Sequence, residues 1–251
     1  MKKLLKAFCM SFSMFCAIPT PFAHIWEDSV RSLMLVVFPF VGTVIGAIWA
    51  LAAFLLNELN CPQMFGAALL ALMPYLLTGG IHLDGYMDCC DAIFSRRPLE
   101  KKREILKDSH VGSFAVIALS VLMMLSFAAF ASADGSENML ALIFICTVSR
   151  ACSAIGVSTL RPMGHSEYAG SFQQGISKGN FTALTVILVL SVALSYAICG
   201  ADGLVSCFST AAGYVIFTAY AFKNLDGFSG DVTGFGHTLG ELCGIIALTV
   251  F

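Results

Sequence analysis

The residues best equipped for chemistry fall in one short stretch, TGGIHLDGYMDCCDA, from Thr78 to Ala92, which carries Asp84, Asp88 and Asp91. A helix advances about 100° per residue, so on a helix Asp88 sits about 40° from Asp84 and Asp91 about 20° to its other side. All three carboxylates then share one narrow face. Like charges gathered near lipid repel one another and are costly. A divalent cation resolves the conflict. A donor set made only of oxygens suits Mg²⁺ or Mn²⁺, with phosphate oxygens completing the shell. The plainer alternative is a solvated polar face at a membrane exit, paired with the basic run that follows. His82 lies just before the cluster, and Lys107, Asp108, Ser109 and His110 follow it ahead of Gly112. Carboxylates, a metal and basic groups on one surface are the equipment of phosphoryl transfer, where catalysis is mostly positioning and charge neutralisation.

A second polar group lies near the C-terminus, in NLDGFSGDVTGFGHTLGE from Asn224 to Glu241, with Asp226, Asp231, His237 and Glu241. Its glycines read as a loop over 223–241 that lets backbone approach a ligand closely. His237 and Glu241 share a face if helical. A second metal or a phosphate is one reading, and a flexible loop with a helix cap is the other. Glu241 stands within the last apolar segment, and intramembrane acids usually face a site. Arg150 falls inside an apolar run and needs a partner, either a substrate phosphate or headgroups reached by snorkelling. Arg161 opens a segment running to Asn180 that holds His165, Tyr168, Phe172, Gln173 and Gln174, an aromatic and amide set suited to a flat ring.

The elements that must position these residues are membrane helices. The 251 residues are 58% hydrophobic and 12% charged, where soluble domains carry about 25% charged residues. The mean hydropathy of +0.84 agrees. A span needs about 20 apolar residues. Windows near 33–56, 64–81, 113–132, 138–157, 181–200 and 203–222 qualify, with a short one near 240–251 that is partly inserted or re-entrant. The second ends in Thr78-Gly79-Gly80, a break. The expected fold is therefore an all-α polytopic membrane bundle of about six to seven transmembrane helices forming one domain over 1–251, with a polar acidic and basic loop at 82–112.

With the N-terminus in the cytosol, all 14 Lys and Arg fall on the cytosolic side, counting Arg150 by its half of the span. The opposite loops, 57–62, 133–137 and 200–202, hold none. Retention of positive charge in the cytosol fixes this orientation. Residues 1–32 combine a basic start with apolar residues, and Pro19 and Pro21 suit an interfacial amphipathic helix better than a cleaved signal peptide. Most of the ten cysteines lie in apolar runs, where Cys is a small hydrophobe, and no CxxC pair occurs, which argues against zinc or redox use. A net charge of −2 argues against a nucleic-acid partner.

The segments TGGIHLDGYMDCCDAIFS and REILKDSHVGSFAVIAL resemble the signature region of the cobalamin synthase (adenosylcobinamide-GDP ribazoletransferase) family. FCAIPTP, FPFVGTVIGAIWA and GFSGDVTGFGHTLGEL resemble its N-terminal motif, first span and C-terminal Gly-Asp motif, in the family's order and separation. The chain departs from the family at Ala17, where a basic residue is usual, and at Cys89, Cys90 and His110. The resemblance implies a bacterial cytoplasmic (inner) membrane enzyme that joins adenosylcobinamide-GDP to α-ribazole or its 5′-phosphate, releases GMP and requires Mg²⁺. It implies Asp84, Asp88 and Asp91 as metal ligands, Lys107 and Asp108 for charge balance and orientation, and Asp231 as a ligand or base; the residue pattern itself adds His237 as a catalytic candidate and His82, Ser109, Arg150, Arg161 and Glu241 as candidate substrate contacts. The expected partners are those two substrates and membrane lipid, with a homo-oligomer left open.

Two other classes compete. CDP-alcohol phosphotransferases also begin a membrane Asp cluster with Asp-Gly, but their pattern needs an Ala-Arg pair and longer Asp spacing, and here Tyr86-Met87-Asp88 follows Asp84-Gly85. Transporters place acids near the midplane, whereas these gather at the ends of spans.

Overall fold

Apolar runs placed in lipid leave the backbone no partner but itself, and helices satisfy that condition. The computed structural model describes residues 2–19, 27–135, 137–164 and 177–250, which are helical throughout their regular parts. In chain order these are α1 (Lys2–Phe15), α2 (Arg31–Glu58), α3 (Gln63–Leu77), α4 (Ile81–Phe94), α5 (Leu99–Ile105), α6 (Ser113–Ser132), α7 (Ala141–Thr159), α8 (Lys178–Leu225) and α9 (Gly230–Thr249). α2, α6, α7 and α8 are each long and apolar enough to cross a membrane, and α3 with α4 form a further candidate bent by 94°.

α8 is two arms. Its 48 residues would reach about 72 Å as one rod, more than twice the apolar thickness of a bilayer. At Gly200 the backbone takes φ 64, ψ −142, a conformation that glycine adopts freely, and the chain turns back. The reversal brings Ser195 beside Gly203, where a Cβ would lie 2.6 Å from the Ser195 carbonyl oxygen. The arms match the expected windows at 181–200 and 203–222.

α7 is the central helix, with Leu142, Ile145, Val148 and Ala154 fully shielded, and α2, α8 and α9 pack around it. α1 lays Ala7, Met10 and Phe15 inward while Leu4 and Leu5 remain exposed, and the Ala17 amide donates to the Leu77 carbonyl at 2.8 Å. That arrangement ties the N-terminal segment to the end of α3.

The loops sort to two ends as the charge pattern requires. At one end the Gln63 amide donates to the Ala131 and Ala133 carbonyls, Asn138 donates to the Ile198 carbonyl, and Asp134, Glu137 and Asp202 border one pocket. At the other end the segments after α5, α7 and α8 meet. Two expectations are corrected. The stretch 82–112 is mostly helix, carrying α4 and α5. The Gly/Asp stretch 223–241 is a loop only around 226–229, because α9 begins at Gly230 and its glycines serve close packing. The short last segment near 240–251 is thus the second half of a 20-residue helix.

Candidate active site

The acidic face is built where α4 crosses α9. Gly79 and Gly80 adopt φ 63 and φ 78, which bends the chain sharply from α3 into α4 and starts the new helix with the Asp84 amide on the Gly80 carbonyl at 2.8 Å. α4 then passes α9 at very short range. A Cβ on Gly85 would meet the Asp231 Cα at 2.8 Å, and one on Gly234 would meet the His82 carbonyl oxygen at 3.0 Å. Ser229 caps α9, accepting from the Val232 amide at 3.3 Å and donating to Asp231 Oδ2 at 3.2 Å. Asp231 stands in the first turn, where the helix N-terminus favours negative charge. Asp84 is exposed, Asp88 and Asp231 are half-buried, and these three carboxylates repel one another. Among the described residues, none of them pairs with a Lys, Arg or His.

Asp91 shares the helix but not the situation. It is nearly buried, and its carboxylate accepts from the Gly112 amide at 2.6 Å and the Ala115 amide at 2.9 Å. It thereby caps the N-terminus of α6 from a neighbouring helix. The expectation that it stands beside Asp84 and Asp88 as an open ligand meets this competing engagement.

Lys107, Asp108 and Ser109 are exposed on the segment between α5 and α6. The Asp108 carboxylate accepts from the His110 amide at 3.1 Å and faces its Nδ1 at 2.6 Å. Hydrogen bonding to His110 holds the Asp108 carboxyl below its ordinary range and raises the His110 imidazole.

The remaining expected site residues are placed inside the bundle. Arg150 is fully shielded, and Glu241, His237 and His82 are between 2% and 8% exposed. Arg150 Nη1 lies 2.6 Å from Glu241 Oε1, which also accepts from Ser149 Oγ at 2.8 Å. His237 stands with Nδ1 3.3 Å from Ser153 Oγ, and its ring packs on His82 with centroids 4.1 Å apart and planes tilted by 32°. Space for the guanidinium arm exists because residue 42 is glycine, where a Cβ would come within 2.6 Å of Arg150 Cδ. The structure places Arg150, Glu241 and His82, expected as substrate contacts, and His237, expected as a catalytic residue, inside the bundle and against one another. These groups bind one another between α4, α7 and α9, and Arg150 does not snorkel.

Arg161 faces Asp226 at the same end as the basic segments, and Arg103 of α5 holds the other Asp226 oxygen at 3.2 Å. The Phe228 amide donates to the Arg161 carbonyl at 2.9 Å, and the Met163 amide to the Phe228 carbonyl at 2.8 Å. Arg103 and Asp226 thus clasp three segments, a role missed in the sequence because the partners are 123 residues apart. His165, Tyr168, Phe172, Gln173 and Gln174 lie outside the described residues.

A cleft of about 1000 Å³ opens at the opposite end, lined by Ala50, Ala67, Leu70, Asp134 and Glu137 among others. It holds none of the expected site residues. Among the described residues, no three His, Cys, Asp or Glu side chains already stand in a metal-holding arrangement. Mg²⁺ retains several waters and is typically held by one or two carboxylates plus substrate phosphates. An uncompensated set of Asp84, Asp88 and Asp231 fits that mode.

Comparison with known proteins supplies the last element. The family profile described as "Cobalamin-5-phosphate synthase" matches residues 7–249. The chain is 38% identical to the adenosylcobinamide-GDP ribazoletransferase of Clostridium perfringens (strain 13 / Type A) over 251 residues, covering 100% of both chains. It is 34% identical to that of Clostridium botulinum (strain Alaska E43 / Type E3) over 252 residues, again covering 100% of both. The counterpart in Lachnoclostridium phytofermentans is 30% identical over 99% of this chain and 95% of its own. No solved structure matches. With a profile match across almost its whole length and end-to-end relatives, the chain belongs to the cobalamin-5-phosphate synthase family.

Proposed function

We propose that this membrane enzyme joins adenosylcobinamide-GDP to α-ribazole, or to its 5′-phosphate, giving adenosylcobalamin or its phosphate with release of GMP. The observation that carries the placement of the reaction is the α4/α9 crossing, where Asp84, Asp88 and Asp231 converge without a cationic partner among the described residues. Family membership supports the substrates.

In this reading the ribazole hydroxyl oxygen bonds to the phosphorus next to the cobinamide arm, the bond from that phosphorus to the GMP oxygen breaks, and the hydroxyl proton leaves. Asp84, Asp88 and Asp231 would hold Mg²⁺, which neutralises diphosphate charge when bound. Ser229 fixes one oxygen of Asp231, leaving the other to face the reacting groups. Lys107 and Ser109, exposed on the next segment, offer a cation and a hydroxyl to phosphate oxygens. In this reading the acidic face looks into the cytosol of a bacterial cell and the chain resides in the cytoplasmic membrane, an orientation that the Lys and Arg distribution supports. Membrane lipid covers the exposed apolar flanks of α6 and α8.

The test is GMP release from adenosylcobinamide-GDP by the protein in lipid nanodiscs with α-ribazole and Mg²⁺, read with the corrinoid product by chromatography. Stoichiometric GMP and cobalamin, lost on chelation and restored by Mg²⁺, is the expected result. CMP formation from a CDP-linked lipid, with no GMP from the corrinoid donor, would overturn it.

A further inference from the structure

α9 presents Asp231 to α4 and packs on its neighbours through glycine-lined faces. Toward the second arm of α8 it places Gly236, Gly240 and Gly244, where an added Cβ would meet Tyr214 O at 3.2 Å, Thr210 O at 2.9 Å and Ser206 O at 3.2 Å. Toward α4 it places Gly234 against Gly85, at 3.4 Å from an added Cβ to the Gly85 Cα. Helices normally fix their relative height by seating side-chain ridges in grooves. Thr218 and Thr210 of α8 seat their side chains in the Gly236 and Gly244 gaps, so this face carries part of the register and polar contacts add to it.

One directional contact, Tyr214 Oη with Thr233 Oγ1 at 3.1 Å, lies beside Asp231, and the charged ones lie deeper. Glu241 follows Asp231 by ten positions, about 15 Å along the helix and so near the middle of an apolar layer about 30 Å thick. There Glu241 binds Arg150 and Ser149 of α7, while His237, one turn nearer Asp231, meets Ser153 of α7 and packs on the His82 ring of α4. Thr238 Oγ1 adds a bond to the His82 carbonyl at 3.3 Å. The chain of contacts runs from α7 through α9 to α4 and ends two residues before Asp84. Two buried charges contribute little net stability over apolar residues of equal volume, and their retention in this place calls for another role.

We propose that the Arg150–Glu241–His237 chain is a register lock, a set of positioning residues that fixes the height and rotation of α9 so that Asp231 faces Asp84 and Asp88. The inference rests on the reaction being placed at that acidic face. In this role the lock residues act without touching substrate. The lock acts through the backbone of α9, and Arg150 serves it from α7 by fixing Glu241.

The experiment compares wild type, Arg150→Met, Glu241→Leu, the double variant Arg150→Met/Glu241→Leu, and Ser149→Ala, all in nanodiscs. Three readouts are taken: Tm, amide exchange over 229–235, and kcat separately from KM for adenosylcobinamide-GDP. Each single charge variant strands a buried ion and lowers Tm. The double variant recovers Tm toward wild type, yet exchanges faster over 229–235 and loses about tenfold or more in kcat with KM unchanged, as expected for a small misplacement of a catalytic group. Ser149→Ala leaves the ion pair in place, folds regardless of the double variant's fate, and shows the same two changes at smaller size. A double variant that recovers both Tm and kcat with wild-type exchange would overturn the lock, as would Ser149→Ala with wild-type exchange. Faster exchange in either variant with kcat untouched would uphold the lock and contradict instead the placement of the reaction at the acidic face.

Discussion

Asp88 and Asp91 stand one turn apart on α4, and the bundle treats them in opposite ways. Asp91 is saturated by two backbone amides of the next helix. Asp226 is held by two arginines, and Glu241 by Arg150 and Ser149. Asp84, Asp88 and Asp231 receive no such compensation among the described residues and crowd one another at a helix crossing. Charge in a membrane protein is costly enough that acids left unpaired together imply a partner from outside. Saturated acids hold helices together, and the proposed function gives the unsaturated ones a ligand.

That contrast breaks first at the open acids. Asp84→Asn, Asp88→Asn and Asp231→Asn each lower kcat/KM for GMP release by about 10²–10³-fold, the scale of removing one electrostatic stabiliser. Tm holds or rises, because mutual repulsion is relieved, and scanning calorimetry beside the assay checks both. Gly85→Ala comes next. Its Cβ must push the Asp231 backbone back from 2.8 Å, and a shift of this kind costs roughly tenfold to hundredfold in kcat while each acid remains present.

The saturated acids sharpen the comparison from the other side. Asp91→Ala leaves the Gly112 and Ala115 amides unsatisfied and lowers stability by about 1–3 kcal/mol, seen in denaturant or thermal melts, while the folded fraction keeps its Mg²⁺ dependence. Asp226→Asn opens a clasp whose Asp226 and Arg161 side chains are more than half exposed, so the loss is at most about 1 kcal/mol and fades with added salt. His110→Asn is the smallest. His110 is raised by Asp108 and Asp108 is lowered by His110, so their mutual stabilisation exists only between the two transitions. The variant therefore lowers Tm slightly while wild-type His110 is protonated and Asp108 ionised, and the difference fades as pH rises through the His110 transition.

Much of this was legible in the residues themselves. Hydrophobic windows placed the crossing helices, Gly79-Gly80 announced the bend before α4, and the absence of Lys and Arg from 57–62, 133–137 and 200–202 foretold which loops share an end. The helical period of Asp84, Asp88 and Asp91 was right as geometry. What it could not carry was the fate of each carboxylate, since Asp91 is claimed by amides 21 and 24 positions away. Arg150 likewise found its partner 91 residues on, a distance at which composition says nothing. The start of α9 was hidden because Gly230, Gly234 and Gly236 look like loop glycines. In the bundle Gly234 and Gly236 are the price of a backbone lying directly on its neighbours.

The account's central claim is that neighbouring aspartates on α4 divide into ligand and anchor. A Mg²⁺ titration of GMP release by Asp88→Asn and Asp91→Asn, run side by side with their melting curves, tests it most directly. The account predicts a large rise in the Mg²⁺ midpoint, or no activity at any concentration, for Asp88→Asn at undiminished Tm, and a lowered Tm with a wild-type midpoint for Asp91→Asn. A wild-type midpoint for Asp88→Asn, with the Mg²⁺ dependence lost in Asp91→Asn instead, would contradict it.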